Sequence, residues 1–468
     1  MRLVGRVRVA VAVLAASLVC AGGASAASGW TEVTIHASDA TPLACAYSIP
    51  SGSAPAGGWP GVIVFHGLGQ SHADMKPIGT ALTQLGFAAL ACDARGTGAS
   101  GGKFGLDGPR DVQDAQNLFS WFAARSDVSN TRIGALGLSL GGGEVWNAAV
   151  AGVPFKAIVP AVSWTDLRSA LDPGGVPKTG MIALLSRTVP LANWDPVLAQ
   201  AAQTLLSGTV TPAVTSTEAA RSSRARLHSL TVPTLLLQGR RDFFFDMDQA
   251  IAAWKLLAGP KRLYLGDLGH APAKNPTGEE AVYFTEAVVW FENYLGPAAG
   301  IAGGVELAHD PFDGPPTVFK KLPATRKVSV NLPGKKKLGG GAFATRSARL
   351  TGGPHETFGG GSVTVHYSGA TSWTHLVVTV SVKGSKTVVT EGAAAIKSSS
   401  GIVKISLMNQ AVRMPRGKKL VVKLGATSAD DVNHVGVPIY ASLPPHGASI
   451  VVGSATLKLS ILKRAVSR

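Results

Sequence analysis

Ser139 lies in the stretch GALGLSLGGGEVW, residues 134–146, with Gly137 and Gly141 two positions to either side. A serine hydroxyl is a weak nucleophile until a base takes its proton, so chemistry at this position needs partners elsewhere in the chain. The run TRIGALGLS has the character of a buried strand, and GGEVWNAAVAG behind the serine has helical apolar spacing. A G-x-S-x-G motif at a strand-to-helix turn lifts the serine clear of a sheet, where it can attack an acyl carbon. The flanking glycines fit this reading, because a Cβ would clash where strand and helix approach closely. The helix N-terminus also points N–H groups at the site and favours developing negative charge. The alternative for the same residues is an inert glycine-rich turn.

A serine nucleophile of this type is followed in the chain by an acid and then by a histidine. His270 satisfies the order: it closes the strand-like run LYLGDLGH just ahead of a loop and a helix. His66 precedes the serine and is read as shaping its own loop, while His228, His309 and His355 fall in regions of other character. The acid belongs after the preceding strand, in VPTLLLQGRRDFFFD, where Asp242 is nearest the strand end and Asp246 and Asp248 are its rivals. The ordinary roles for these residues are a hydrogen-bonded loop histidine and a solvated carboxylate paired with Arg240 or Arg241. A tetrahedral intermediate needs two donors for its oxyanion. The backbone N–H of Leu140, directly after the serine, and that of Leu68, in the loop after VIVFHG, are the candidates.

The elements that must hold these residues alternate between strand and helix. PGVIVFHG, FAALACDARG, TRIGALGLS, FKAIVPAVS, TVPTLLLQG and KRLYLGDLGH read as strands, separated by helical patterns such as PRDVQDAQNLFSWFAARS, whose Pro109 suits a first helical turn. Alternation of this kind implies a mostly parallel, doubly wound sheet covered on both faces. Residues 164–230 break the rhythm with a DPGGVPKTG turn and several short helical stretches, as an inserted lid would. Residues 28–300 therefore form a catalytic α/β domain carrying that lid. PAAGIAGG and DPFDGPPT mark a linker over 301–320, and the short alternating runs of 321–468, divided by Gly, Ser and Pro turns, read as an all-β sandwich.

The 468 residues are 46% hydrophobic and 15% charged, enough apolar material for two packed domains. The opening MRLVGRVR, the apolar run behind it and the small-residue ASA at Ala24 to Ala26 form a signal peptide over 1–26, which implies a secreted or cell-envelope protein. The net charge of +16 is concentrated in the sandwich, where residues 321–468 hold 21 Lys and Arg against 4 Asp and Glu. An anionic cell-surface polymer or lipid is one partner for such a domain, and a merely solubilising surface is the other reading. Scattered lysines with few interleaved aromatics argue against nucleic acid. No metal-ligand or nucleotide-binding spacing is present, so no cofactor and no metal is expected.

HGLGQS, DARGTGASGG, GLSLGG, SWTDLRSALDPGGVPKTG, VPTLLLQGRRDFFFDMDQA and KRLYLGDLGH, in this order, resemble the α/β-hydrolase superfamily. More narrowly they resemble its branch of X-prolyl dipeptidyl peptidases and cocaine-esterase-like acyl hydrolases. The resemblance implies Ser139, Asp242 and His270 as a catalytic triad, a helical lid and a C-terminal sandwich of jelly-roll type. One motif departs: the branch often supplies an oxyanion-hole tyrosine after its third strand, whereas this chain has HGLGQSH, closer to ordinary esterases. In this fold the second strand runs antiparallel beside the one carrying Cys92, so Cys45 and Cys92 could form a disulfide; two buried free thiols are the alternative. The expected function is a serine hydrolase that cleaves acyl esters or amides through an acyl-enzyme. The alternatives are an X-prolyl dipeptidyl aminopeptidase, or an inactive hydrolase core whose basic sandwich binds surfaces.

Overall fold

Ile63 and Phe65 point to one side of a central strand and Val62 and Val64 to the other, and each pair joins a different buried cluster. A strand apolar on both faces has to be covered on both faces. In the computed structural model, which describes residues 29–297, 300, 303–429 and 438–466, this is what the chain does. The signal peptide expected over 1–26 lies outside the described residues.

The central sheet is built from β1 (Thr31–His36), β2 (Pro42–Ser48), β3 (Trp59–Phe65), β4 (Ala88–Cys92), β5 (Val128–Leu138), β6 (Ile158–Ala161), β7 (Thr234–Gly239), β8 (Lys261–Gly266), β9 (Gly304–Leu307) and β10 (Thr317–Phe319). Their order across the sheet is β1-β2-β4-β3-β5-β6-β7-β8-β9-β10. The strands from β4 to β9 pair in parallel, while β1, β2 and β10 pair antiparallel to their neighbours. Helices α1 (His72–Gln84), α2 (Pro109–Ala123) and α3 (Leu140–Val150) follow β3, β4 and β5. The lid between β6 and β7 holds α4 (Leu167–Leu171), α5 (Thr179–Thr188), α6 (Pro196–Leu206) and α7 (Pro212–Ala219), and α8 (Met247–Leu256) and α9 (Glu279–Tyr294) complete the domain. Apolar residues of α2, α3 and α8 cover one face of the sheet, and those of α1 and α9 the other. Pro109 occupies the first turn of α2, where its missing N–H leaves no intrahelical bond unmade.

The segment 301–320 is a correction to the sequence reading. It carries β9, which pairs with β8, and β10, which pairs with β9, so it extends the sheet and is not merely a linker. Four- and three-residue strands among glycines and prolines lack the length for an alternating pattern to stand out.

The second cysteine alternative is also settled by the register. Cys45 of β2 lies directly across from Cys92 of β4, and the two are joined by a disulfide.

The C-terminal region is all β: β11 (Thr325–Leu332), β12 (Lys336–Gly339), β13 (Ala344–Arg349), β14 (His355–Glu356), β15 (Gly361–Thr371), β16 (His375–Val382), β17 (Val388–Ala395), β18 (Gly401–Leu407), β19 (Arg413–Met414), β20 (Lys419–Gly425) and β21 (Ser449–Leu462). One sheet runs β11-β21-β15-β18, with β12 also on β21, and a second runs β13-β20-β16-β17. Their inner faces close on a shared core that includes Val363, Val378, Leu424 and Leu457. The sandwich is not an appendage. Val377, Val388 and Met408 from it join Trp164, Leu171, Met181 and Phe243 in one buried cluster, which places the lid between the two domains.

Candidate active site

Ser139 falls between the last residue of β5 and the first of α3, at φ 55° and ψ −111°. Such a backbone is unfavourable for a side-chain-bearing residue by about 1–3 kcal/mol and persists only where the surroundings impose it. Here they do. The Ser139 N–H donates to Ala161 O at 2.9 Å, and Gly141 N–H donates to His66 O at 3.0 Å, tying the turn to β6 on one side and to the loop after β3 on the other. A Cβ on Gly137 would lie 2.0 Å from Gly141 O, and one on Gly141 would lie 2.2 Å from Phe65 O. Both glycines are thus required by the backbone contact itself.

The structure brings Ser139, His270 and Asp242 together. Ser139 Oγ lies 2.9 Å from His270 Nε2. On the far side of the ring, His270 Nδ1 lies 2.7 Å from Asp242 Oδ2, which also accepts the His270 backbone N–H at 3.0 Å. Asp242 Oδ1 accepts the N–H groups of Phe244 and Phe245 at 2.8 and 2.9 Å. The carboxylate is fully buried, so these four donors replace the water it has lost. Because Asp242 can only accept, the proton of neutral His270 sits on Nδ1, which leaves Nε2 free to take the proton of Ser139. Gly269, at φ 146°, makes room: a Cβ there would lie 2.7 Å from Asp242 Oδ2.

The rival carboxylates are used otherwise. Asp246 caps α8 through Asp248 N–H at 3.0 Å and accepts Asn409 N–H at 2.8 Å. Asp248 accepts from Arg224 and from the Asn409 side chain, both at 2.9 Å. Arg240 and Arg241 do not pair with Asp242. Arg240 meets Glu356, and Arg241 meets Asp267 and Asp310.

Leu140 begins α3, and the first N–H groups of a helix have no partner within it. Leu68 stands in the loop after β3, half-buried against the lid cluster. His66, in the same loop, donates from Nδ1 to Gly67 O at 2.8 Å and accepts Ala94 N–H at Nε2 at 2.9 Å. Burial pushes its imidazole below the usual range, so it is neutral and shapes the loop. Behind the elbow, Glu144 of α3 faces Asp107. Burial pushes both carboxyls up, reinforced for Glu144 by the charge of Asp107 and for Asp107 by that of Asp111, which lessens the negative charge close to Leu140 and Gly141.

Two aromatic rings escaped the sequence reading. Phe244 stacks on the His270 ring at 4.8 Å between centroids and 6° between planes, and Phe245 meets it edge-on at 5.2 Å. The signal was the FFF that follows Asp242, which reads equally well as core. The set as a whole offers a nucleophile, a base, an orienting acid and N–H groups at a helix start, with the imidazole confined by two rings.

A family model, X-Pro dipeptidyl-peptidase (S15 family), matches residues 35–272 of the chain. Two curated relatives from Escherichia coli, each described as an uncharacterized 31.7 kDa protein in the traX-finO intergenic region, are 32% and 31% identical over 126 residues. That stretch is 26% of this chain and 43% of each relative, so the match spans less than half of their length. Among solved structures, a CocE/NonD family hydrolase from Staphylococcus aureus is similar at TM-score 0.69 and 14% identity, covering 92% of this chain and 94% of that one. An α-amino acid ester hydrolase is similar at TM-score 0.68 and 13% identity over 95% and 98% of the two chains. An aminopeptidase from a marine-sediment Thaumarchaeota archaeon is similar at 0.66 and 13% over 93% and 97%. These likenesses establish the fold, and they run through the sandwich as well as the sheet.

Proposed function

Since the chain belongs to the S15 family of X-Pro dipeptidyl-peptidases, we propose that it is a serine hydrolase cleaving acyl esters or amides, with Ser139 as nucleophile, His270 as general base and Asp242 as the acid that orients it. One observation carries this reading: the unbroken line from Ser139 Oγ through His270 to Asp242, set on a strained elbow. In the first step Ser139 Oγ attacks the acyl carbon while His270 Nε2 takes its proton. The N–H groups of Leu140 and Leu68 receive the oxyanion. Collapse expels the leaving group, which takes the proton back from His270, and water then releases the acyl group by the same route. Labelling with a fluorophosphonate, beside a panel of p-nitrophenyl esters of rising chain length and X-Pro p-nitroanilides, tests the proposal. Stoichiometric labelling of Ser139 with turnover of one class supports it and names the substrate. Absence of labelling in folded protein refutes it and leaves the inactive-core reading.

The basic sandwich supports a second role, retention at a polyanionic surface. Among the described residues of 321–466 the acidic groups are Glu356 and Glu391, and both are buried. Lys327, Lys337, Lys404, Lys418 and Lys458 are among the exposed cations around them. With the signal peptide expected at 1–26, such a surface would act outside the cell. Co-sedimentation of the full chain with anionic and neutral cell-wall material at two salt concentrations tests this. Equal retention on both materials, or binding indifferent to salt, refutes it.

A further inference from the structure

Lys178 lies in the lid just ahead of α5 and is 1% exposed. Its Nζ donates to Phe243 O at 2.7 Å and reaches Phe244 O at 3.4 Å. The carboxylates whose charge it feels are Asp242 and Asp246 of the loop after β7 and Glu391 of β17. A buried ammonium costs several kcal/mol in lost hydration, far more than an apolar side chain of the same length. Packing alone therefore does not explain a lysine here.

What it touches does. The loop from Arg240 to Asp246 carries three groups that grip the His270 ring: the Asp242 carboxylate and the rings of Phe244 and Phe245. From the sandwich side, Gln410 Nε2 donates to Asp242 O and Asn409 N–H to Asp246 Oδ2. From the sheet side, Gln238 Nε2 donates to Phe245 O at 2.6 Å. Lys178 completes the hold from the lid. Its own neighbours are pinned to the sandwich, with Gly180 N–H donating to Ile439 O and Thr179 Oγ1 accepting Ala441 N–H, both at 3.1 Å.

We infer that Lys178 is a positioning residue for the hydrolysis: from the lid it fixes the carbonyls of Phe243 and Phe244, and with them the loop that carries Asp242 and the two rings against His270. The inference rests on the triad reading. Burial lowers the ammonium to about 8, opposed by the charges of Asp246, Asp242 and Glu391, so the hold loosens in alkaline solution.

The test compares Lys178→Met, Lys178→Gln and Lys178→Arg in the full chain. Met removes both donor and charge, Gln keeps a donor, and Arg keeps a cation. The expected result is a kcat loss of about 10- to 100-fold in Met, as for a small displacement of a catalytic group, with KM nearly unchanged. Gln and Arg, which keep a donor for the two carbonyls, recover part of that kcat. If Met fails to fold, Gln and Arg carry the same comparison of kcat and KM against the parent. Folded variants with parental kcat, or a lower Tm alone, overturn the inference. Fluorophosphonate labelling of the parent separates the two claims: an unlabelled parent sinks the triad, whereas a labelled parent with indifferent Lys178 variants sinks only Lys178.

Discussion

Asp242→Asn is the sharpest test of the triad, because the structure says what the amide would meet. The carboxylate accepts four N–H groups, two on each oxygen. An asparagine has one acceptor oxygen. If that oxygen stays with Phe244 and Phe245, the amide NH₂ points at the His270 backbone N–H and at Nδ1. The ring nitrogen can relieve the clash only by becoming the acceptor, which moves its proton to Nε2. The Nε2–H then faces Ser139 Oγ and cannot take its proton. The wrong tautomer of a triad histidine costs about 10⁴-fold in kcat. The His270 backbone N–H loses its partner in the same step, worth about 1–3 kcal/mol of stability for a buried donor. Measured against a chromogenic ester, Asp242→Asn should show that loss in kcat with a moderately lower Tm. Asp246→Asn is the control: its amide oxygen still caps α8 but the bond from Asn409 N–H is lost, so it should lose about 1 kcal/mol of stability while keeping far more of kcat than Asp242→Asn. Asp242→Asn within about tenfold of parental kcat, or a crippled Asp246→Asn beside it, would refute the assignment of the acid.

Ser139→Ala should lower kcat by about 10⁴-fold or more and abolish fluorophosphonate labelling, with an unchanged circular dichroism spectrum. Glu218 of α7 is pushed up to about 8 by burial, so its folded form keeps a proton that the unfolded chain has released by neutral pH. Folding therefore takes up a proton between about pH 4.5 and about pH 8, and this group's contribution to stability falls as pH rises through that window. Glu218→Gln should flatten the decline of Tm with pH between about pH 4.5 and about pH 8, and an unaltered Tm–pH profile would count against the burial of that carboxyl. Peptide mapping without reductant should recover Cys45 and Cys92 in one linked pair, and replacing both with Ala should cost about 2–4 kcal/mol of stability. Two alkylatable thiols in the denatured, unreduced protein would contradict the bond.

What could be read along the chain is what local physics imposes on neighbours in sequence. The elbow was legible because Gly137 meets the backbone of Gly141, so one need for glycine is written beside Ser139, although Gly141 itself meets the distant backbone of Phe65. The α/β alternation was legible because residues such as Val62 and Ile63 serve opposite faces and leave a continuous apolar run. β9 and β10 were not, since strands of four and three residues draw their stability from the strand each pairs with rather than from their own pattern. Lys178 was invisible for a related reason. In GGVPKTG it has the surroundings of a solvated turn, and only the return of the loop at Phe243, 65 residues later, makes it a buried donor.

The same consideration changes what the sandwich is for. Its charge, read in sequence, directs attention outward, yet its closest dealings are inward. Arg240, directly after β7, is fully buried and donates to Ala411 O at 2.7 Å, while Ala411 N–H donates back to Arg240 O at 2.8 Å. The Arg240 guanidinium also meets Glu356, so one of the two described acidic groups of the sandwich is committed to the root of the acid loop. Breaking a buried pair by removing one partner strands the other charge, at about 3–5 kcal/mol. The loop that holds Asp242 is thus a piece of the interface between domains as much as a piece of the α/β sheet. The loop carrying Asp242 is set by residues more than a hundred positions downstream, and its geometry depends on the docking of the sandwich.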